Sequence, residues 1–120
     1  MASSDELASF ITSSFSSVWA LELLLLLKRE ARACSADELV DLMRASPSVI
    51  DNALDSLIAA GLAGSDRSST SYMPVSAEVA QLVEETEQLY RAKPNRVRRL
   101  IVTAANPGLA AFSDAFRLKD

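Results

Sequence analysis

Apolar residues recur at helical spacing along most of the chain, which predicts a mainly helical protein. The predicted helices are Asp5–Phe15, Val18–Ala33, a segment from Ala36 to about Arg44, Ser46–Gly61, a segment from Ser76 to about Ala92, a segment that begins at Pro94, and Pro107–Leu118.

Capping residues indicate where the central helices begin and end. Ser35 lies three residues before Glu38, a spacing that predicts a capping box. Ser46 followed by Pro47 combines an N-cap with a first-position proline, and Gly61 predicts a left-handed end to the same helix. The two helices that begin here are therefore separated by only a short turn.

Short β-prone stretches surround this helical pair. Leu62–Ser65 and Tyr72–Val75 flank the polar residues Asp66–Ser71, which predicts a hairpin with a long tip. A shorter extended stretch, Ala33–Ser35, precedes the first helix of the pair. The predicted fold class is therefore mainly α with a small β-hairpin.

Composition narrows the classes of function. A length of 120 residues favours one domain over 1–120. The chain has no histidine, the usual catalytic base, and its one cysteine, Cys34, cannot form an internal disulfide. Cys34 is expected to be a small buried apolar residue. We expect no enzymatic activity, no cofactor, no metal site and a cytoplasmic location.

The densest apolar run, Leu23–Leu27, is much shorter than the roughly 20 residues of a membrane span. We therefore expect a buried helix there and no membrane contact.

The order of helix, short strand, helix, turn, helix, hairpin and long helix resembles the winged helix-turn-helix family, in particular MarR-like bacterial transcription regulators. The resemblance is closest over Ala36–Ala63, where a helix opens with Ser46-Pro47 and ends in a Leu-x-x-Ala-Gly-Leu motif. It covers roughly residues 17–92 and leaves the predicted terminal helices 5–15 and 94–118 outside the winged-helix core.

This resemblance implies a homodimeric, DNA-binding transcriptional regulator with Ser46–Gly61 as its recognition helix. It implies DNA contacts from the outer face of that helix and from the wing, namely from Ser46, Ser48, Asp51, Asn52, Asp55, Arg67, Ser68 and Ser69. It also implies a dimer interface on the terminal helices, with Phe10, Phe15, Phe112 and Phe116 as aromatic residues, and the surplus apolar surface of Val18–Leu27 adds Trp19 to this interface. Trp19 has the alternative of packing in the core, and Phe112 and Phe116 that of a helix folded back on its own domain.

The charge pattern leaves a second function open. Segment 33–66 has one basic residue, Arg44, against six acidic residues. Carboxylates that face phosphates within a Debye length of about 8–10 Å repel them. The alternative is a winged-helix protein-interaction module whose acidic helix face docks on a basic protein partner.

Most of the basic residues lie elsewhere. Five cations occur between Arg91 and Arg99, with no acidic residue among them. They either contact phosphates or pair with Glu84, Glu85 and Glu87, which we expect on a solvated helix face.

Overall fold

Six helices and three short strands are formed by residues 2–105, the part of the chain that the computed structural model describes. The helices are α1 (Ser4–Ser14), α2 (Val18–Glu30), α3 (Ala36–Met43), α4 (Pro47–Ala59), α5 (Ala77–Ala92) and α6 (Pro94–Ala105). The strands are β1 (Cys34–Ser35), β2 (Ala63–Asp66) and β3 (Ser69–Tyr72). The predicted mainly α class with a small β-hairpin is confirmed. The predicted helix Pro107–Leu118 lies outside the described residues.

Serine side chains cap the starts of the first five helices. Each hydroxyl accepts a hydrogen bond from the backbone N–H three residues later, which satisfies a donor that the helix itself leaves unpaired. The capping serines are Ser3, Ser17, Ser35, Ser46 and Ser76. The predicted capping box at Ser35 is half formed, because the carboxylate of Glu38 binds the guanidinium of Arg32 instead.

The three strands form an antiparallel sheet in the order β1-β3-β2. Cys34 pairs with Thr70, and Asp66 pairs with Ser69 at the end of the hairpin. Only Arg67 and Ser68 remain in the turn, so the predicted six-residue tip is wrong. Strand β3 includes Ser69, Thr70 and Ser71, whose polar composition predicted a loop. The side chain of Thr70 is buried in the folded chain.

Helix α2 lies at the centre of the core. Its residues Leu21, Leu23, Leu24 and Leu27 are fully buried, and α2 contacts α4, α6 and β3. The helix ends three residues earlier than predicted, because Ala31 adopts a left-handed conformation with φ of 56°. That turn directs the chain into β1.

All three glutamates expected on a solvated face of α5 are buried or paired. The Glu85 side chain is buried, and one of its oxygens accepts a hydrogen bond of 3.2 Å from the backbone N–H of Ala2. The carboxylate of Glu87 lies 2.9 Å from the ammonium of Lys28. The expectation is wrong for Glu85, because α1 packs on α5 and the chain before α1 contacts this carboxylate, and for Glu87, because its side chain is only 13% exposed and pairs with Lys28 of α2. Glu84 pairs with Lys28 at 3.0 Å but stays 47% exposed.

In residues 2–105, no individual helix has the length and apolar character needed to cross a membrane. The α1–α2 pair meets the criterion of length and composition together, but it is bent by 100°.

Candidate nucleic-acid interface

Helix α4 buries one face and leaves the other free. Ile50, Leu54 and Leu57 pack in the core, where α4 contacts α2 and α3. The side chains expected to contact DNA lie on the other side of the helix and are exposed: Ser48, Asp51, Asn52 and Asp55. Ile58 lies on the same helix but is 39% exposed.

The turn that leads into α4 carries an exposed arginine. Arg44 follows α3 in a left-handed conformation with φ of 52°, and its backbone N–H donates to the carbonyl of Val40. Ser46 is also exposed, and its hydroxyl caps α4 at the N–H of Val49 over 3.3 Å. The same left-handed helix end occurs at Ala31 after α2, and here it leaves the Arg44 side chain exposed.

The hairpin of β2 and β3, which was predicted to be the wing, carries a second exposed arginine with a left-handed backbone conformation. Arg67 has φ of 56° and lies in the two-residue turn between β2 and β3. Ser68 beside it is exposed. Ser69 was expected in a loop, but it belongs to β3 and pairs with both Ser35 and Asp66, so its side chain is only partly exposed.

Acidic residues outnumber basic ones in the stretch of chain that holds these two arginines. Arg44 and Arg67 are the only basic residues between positions 33 and 75. Within residues 2–105, neither of them forms an ion pair. Five exposed aspartates belong to the same stretch of chain: Asp37, Asp41, Asp51, Asp55 and Asp66. The segment from α3 to β3 thus combines an acidic face of α4 with two cations that form no ion pair with residues 2–105, one in the turn before α4 and one in the turn between β2 and β3.

The cluster of cations between Arg91 and Arg99 lies at the junction of α5 and α6. Arg91 pairs with Glu87 at 3.2 Å, which matches the second of the two alternatives for this one residue of the cluster. The guanidinium of Arg98 lies 5.5 Å from the centre of the Tyr90 ring, a cation–π distance. The other three cations are exposed, and no ion pair joins them to any described residue: Lys93, Arg96 and Arg99.

The aromatic residues expected at a dimer interface occupy different environments. Phe15 is only 2% exposed and contacts Phe10 edge-on, with ring centres 6.0 Å apart, so Phe15 belongs to the core of its own chain. Its assignment to an interface is corrected for that reason. Trp19 is 43% exposed, which rules out the alternative of a core tryptophan. Phe112 and Phe116 lie outside the described residues.

Cys34 is buried, as expected, and its thiol donates to the carbonyl of Arg32 over 3.7 Å. Burial raises the pKa of this thiol above its ordinary value. Within residues 2–105, no group of three or more metal-ligating side chains comes together.

Comparison of the chain with protein-family models, with curated proteins and with solved structures gives no match. The sequence pattern predicted the exposed outer face of α4 but did not single out Arg44 as a candidate contact. Its position immediately before the Ala-Ser-Pro segment that leads into α4 was the available signal.

Proposed function

We propose that the chain is a non-enzymatic, DNA-binding winged-helix domain of a bacterial-type transcriptional regulator that acts in the cytoplasm. The observation that carries the proposal is the exposed polar face of α4 between two exposed arginines. Arg44 lies at the turn before this helix and Arg67 at the tip of the wing that follows it.

The proposed division of labour follows the chemistry of duplex DNA. Arg44 and Arg67 contact phosphates, which hold α4 against the major groove. Asn52 reads an adenine edge through its amide, and Asp51 or Asp55 accepts a hydrogen bond from the amino group of cytosine. The aspartates lower the general affinity for DNA, because they repel the phosphates of every sequence equally.

The proposal is tested with a fluorescein-labelled mixture of genomic duplex fragments, titrated at about 50 mM and about 200 mM salt. We expect weak binding that falls steeply with salt. Replacement of both Arg44 and Arg67 by alanine should weaken binding at low salt by about tenfold or more and reduce the salt slope by about two units. Arg96→Ala removes one exposed arginine of α6 and serves as the control for the loss of a positive charge elsewhere on the surface.

Two results would contradict the proposal. One is the absence of binding at protein concentrations of about 10 µM at low salt, where ordinary non-specific affinity is detectable. The other is an equal loss in Arg96→Ala, which would show that the charge of α6 binds the DNA.

A second candidate function is supported by the five exposed aspartates of the helix-turn-helix and wing. In this case the acidic face of α4 docks on a basic surface of a protein partner. A double variant in which Asp51 and Asp55 are both changed to asparagine separates the two functions, because each function predicts the opposite effect on binding. Loss of repulsion should strengthen binding to duplex DNA, whereas loss of attraction should weaken binding to a lysine-rich peptide.

A further inference from the structure

A groove of about 390 Å³ runs along α2, with α3 and α5 beside it. Trp19, Leu25 and Leu26 of α2 line the groove together with Leu42 of α3. Trp19 is 43% exposed and Leu42 is 51% exposed, although both are large apolar side chains. Exposed apolar side chains that share one groove are typical of a surface that contacts another macromolecule.

Two opposite charges lie along the same groove. Glu22 and Arg29 both line it, and they are seven residues apart on α2, so they share one helix face about 10 Å apart along the axis. Arg29 is exposed and forms no ion pair with any residue from 2 to 105. The hydroxyl of Tyr90 donates a hydrogen bond of 2.8 Å to Glu22, which holds this carboxylate at the groove.

We propose that this groove is the interface between two copies of the chain, related by a twofold axis. An interface of this symmetry must be complementary to itself, because each copy offers the same surface. If the two α2 helices lie antiparallel about an axis between Leu25 and Leu26, Glu22 of each copy faces Arg29 of the other. The positions of Glu22 and Arg29 on α2 therefore make the charge pattern of this surface complementary to itself.

This charge pattern favours a second copy of the chain over other partners at the groove. A strongly basic or acidic partner would meet a repelling charge at one end of the groove, whereas an identical copy meets an attracting charge at both ends. The apolar side chains between the charges, and Trp19 and Leu42 beside them, become buried on association.

The proposed interface is distinct from the candidate DNA-binding surface. It uses α2, α3 and α5 and leaves the outer face of α4 and the wing free. It shares only Trp19 with the interface implied by the resemblance. A failure of dimerisation therefore leaves the DNA titration unaffected, and a failure of DNA binding leaves this interface unaffected.

Trp19 is the only tryptophan of the chain, so its fluorescence reports directly on the groove. We expect sedimentation equilibrium between about 1 µM and about 200 µM to show a monomer–dimer equilibrium. Over the same range, the emission of Trp19 should shift to shorter wavelength and become less accessible to acrylamide. A chain that remains monomeric throughout overturns the proposal.

A charge exchange tests the orientation. Arg29→Glu places like charges opposite each other and should weaken the dimer about tenfold. The double variant Glu22→Arg with Arg29→Glu restores opposite charges across the axis and should bring the dissociation constant back to within about threefold of the original value.

Arg96→Glu makes the same change of charge on α6 and should leave dimerisation unaltered. Because Glu22→Arg removes the hydrogen bond from Tyr90, circular dichroism and thermal unfolding check that each variant is folded. Normal dimerisation of Arg29→Glu, or a folded double variant that stays as weak as Arg29→Glu, overturns the proposal.

Discussion

The ammonium of Lys28 lies 2.9 Å from a carboxylate oxygen of Glu87, and this ion pair joins α2 to α5. A second carboxylate, that of Glu84, lies 3.0 Å from the same ammonium. Lys28 therefore holds together two like charges that belong to one helix. The pairing of Glu87 here is what removed it from the solvated face that the sequence suggested.

We expect Lys28→Met to lower the free energy of unfolding by about 1 kcal/mol near neutral pH, because Glu84 then loses its cation and lies near Glu87, which keeps only the exposed Arg91. Urea unfolding followed by circular dichroism measures the change. Lys93→Met removes an exposed lysine that forms no ion pair with a described residue, and this control should stay within about 0.5 kcal/mol of the original protein.

The same ion pairs make stability depend on alkaline pH. The hydrogen bond to Glu87, and to a smaller extent the one to Glu84, raises the pKa of Lys28 above its ordinary value of 10.5 in the folded state. The ion pairs of Lys28 therefore contribute fully to the free energy of unfolding at pH values below the pKa of an unfolded lysine. This contribution is lost as the pH rises through the higher pKa of Lys28 in the folded state. Urea unfolding from about pH 8 to about pH 11.5 should show a steeper loss for the original protein than for Lys28→Met. Parallel curves would contradict the assignment.

Gly61 and Gly64 should respond differently to alanine. Gly61 has φ of 76°, and a methyl group there would also approach Val75 closely. Gly61→Ala should therefore cost about 1 kcal/mol of unfolding free energy. A methyl at Gly64 would meet the thioether of Met73, an exposed and flexible side chain that can move aside, so the cost should stay below about 0.5 kcal/mol. Thermal unfolding of the two variants compares them, and equal costs would contradict this account.

The start of α4 offers a matched pair of serines. The hydroxyl of Ser46 accepts the N–H of Val49, whereas the hydroxyl of Ser48 is exposed and contacts only the hydroxyl of Ser46 among the described residues. Ser46→Ala should cost about 1 kcal/mol of unfolding free energy, and Ser48→Ala should change it by less than about 0.5 kcal/mol. Chemical unfolding of both variants measures this difference. A cost for Ser48→Ala as large as that for Ser46→Ala would show that the cap does not control the helix start.

Cys34 should be chemically inert in the folded protein. The thiol is buried, and burial raises its pKa, so both access and the thiolate fraction are low. We expect reaction with Ellman's reagent near neutral pH to be at least about 100-fold slower in the native protein than in guanidinium chloride. Rapid reaction of the native protein would indicate that β1 opens readily.

The helices were predictable because their signals are local. The cap at Ser46, the glycine at position 61 and the apolar spacing of Ile50, Leu54 and Leu57 each act within a few residues. For the same reason, the exposed face of α4 could be predicted before the structure was known.

The errors arose where distant segments meet. Ser69 and Thr70 have the composition of a loop, yet they pair with β1, which lies more than thirty residues earlier. Glu85 has the composition of a solvated surface, yet the chain before α1 covers it. The prediction of the candidate site was incomplete for a related reason. The sequence around Arg44 does not indicate that this residue ends α3 in a left-handed conformation with its side chain exposed.

Under the proposed function, the left-handed conformations of Arg44 and Arg67 set thermostability against DNA binding. A residue with a side chain costs roughly 1 kcal/mol more than glycine in this backbone region. Selection for heat resistance alone would therefore favour glycine at both positions. Selection for the proposed DNA contacts would retain arginine, so these two turns are where the demands of folding and of binding oppose each other most directly.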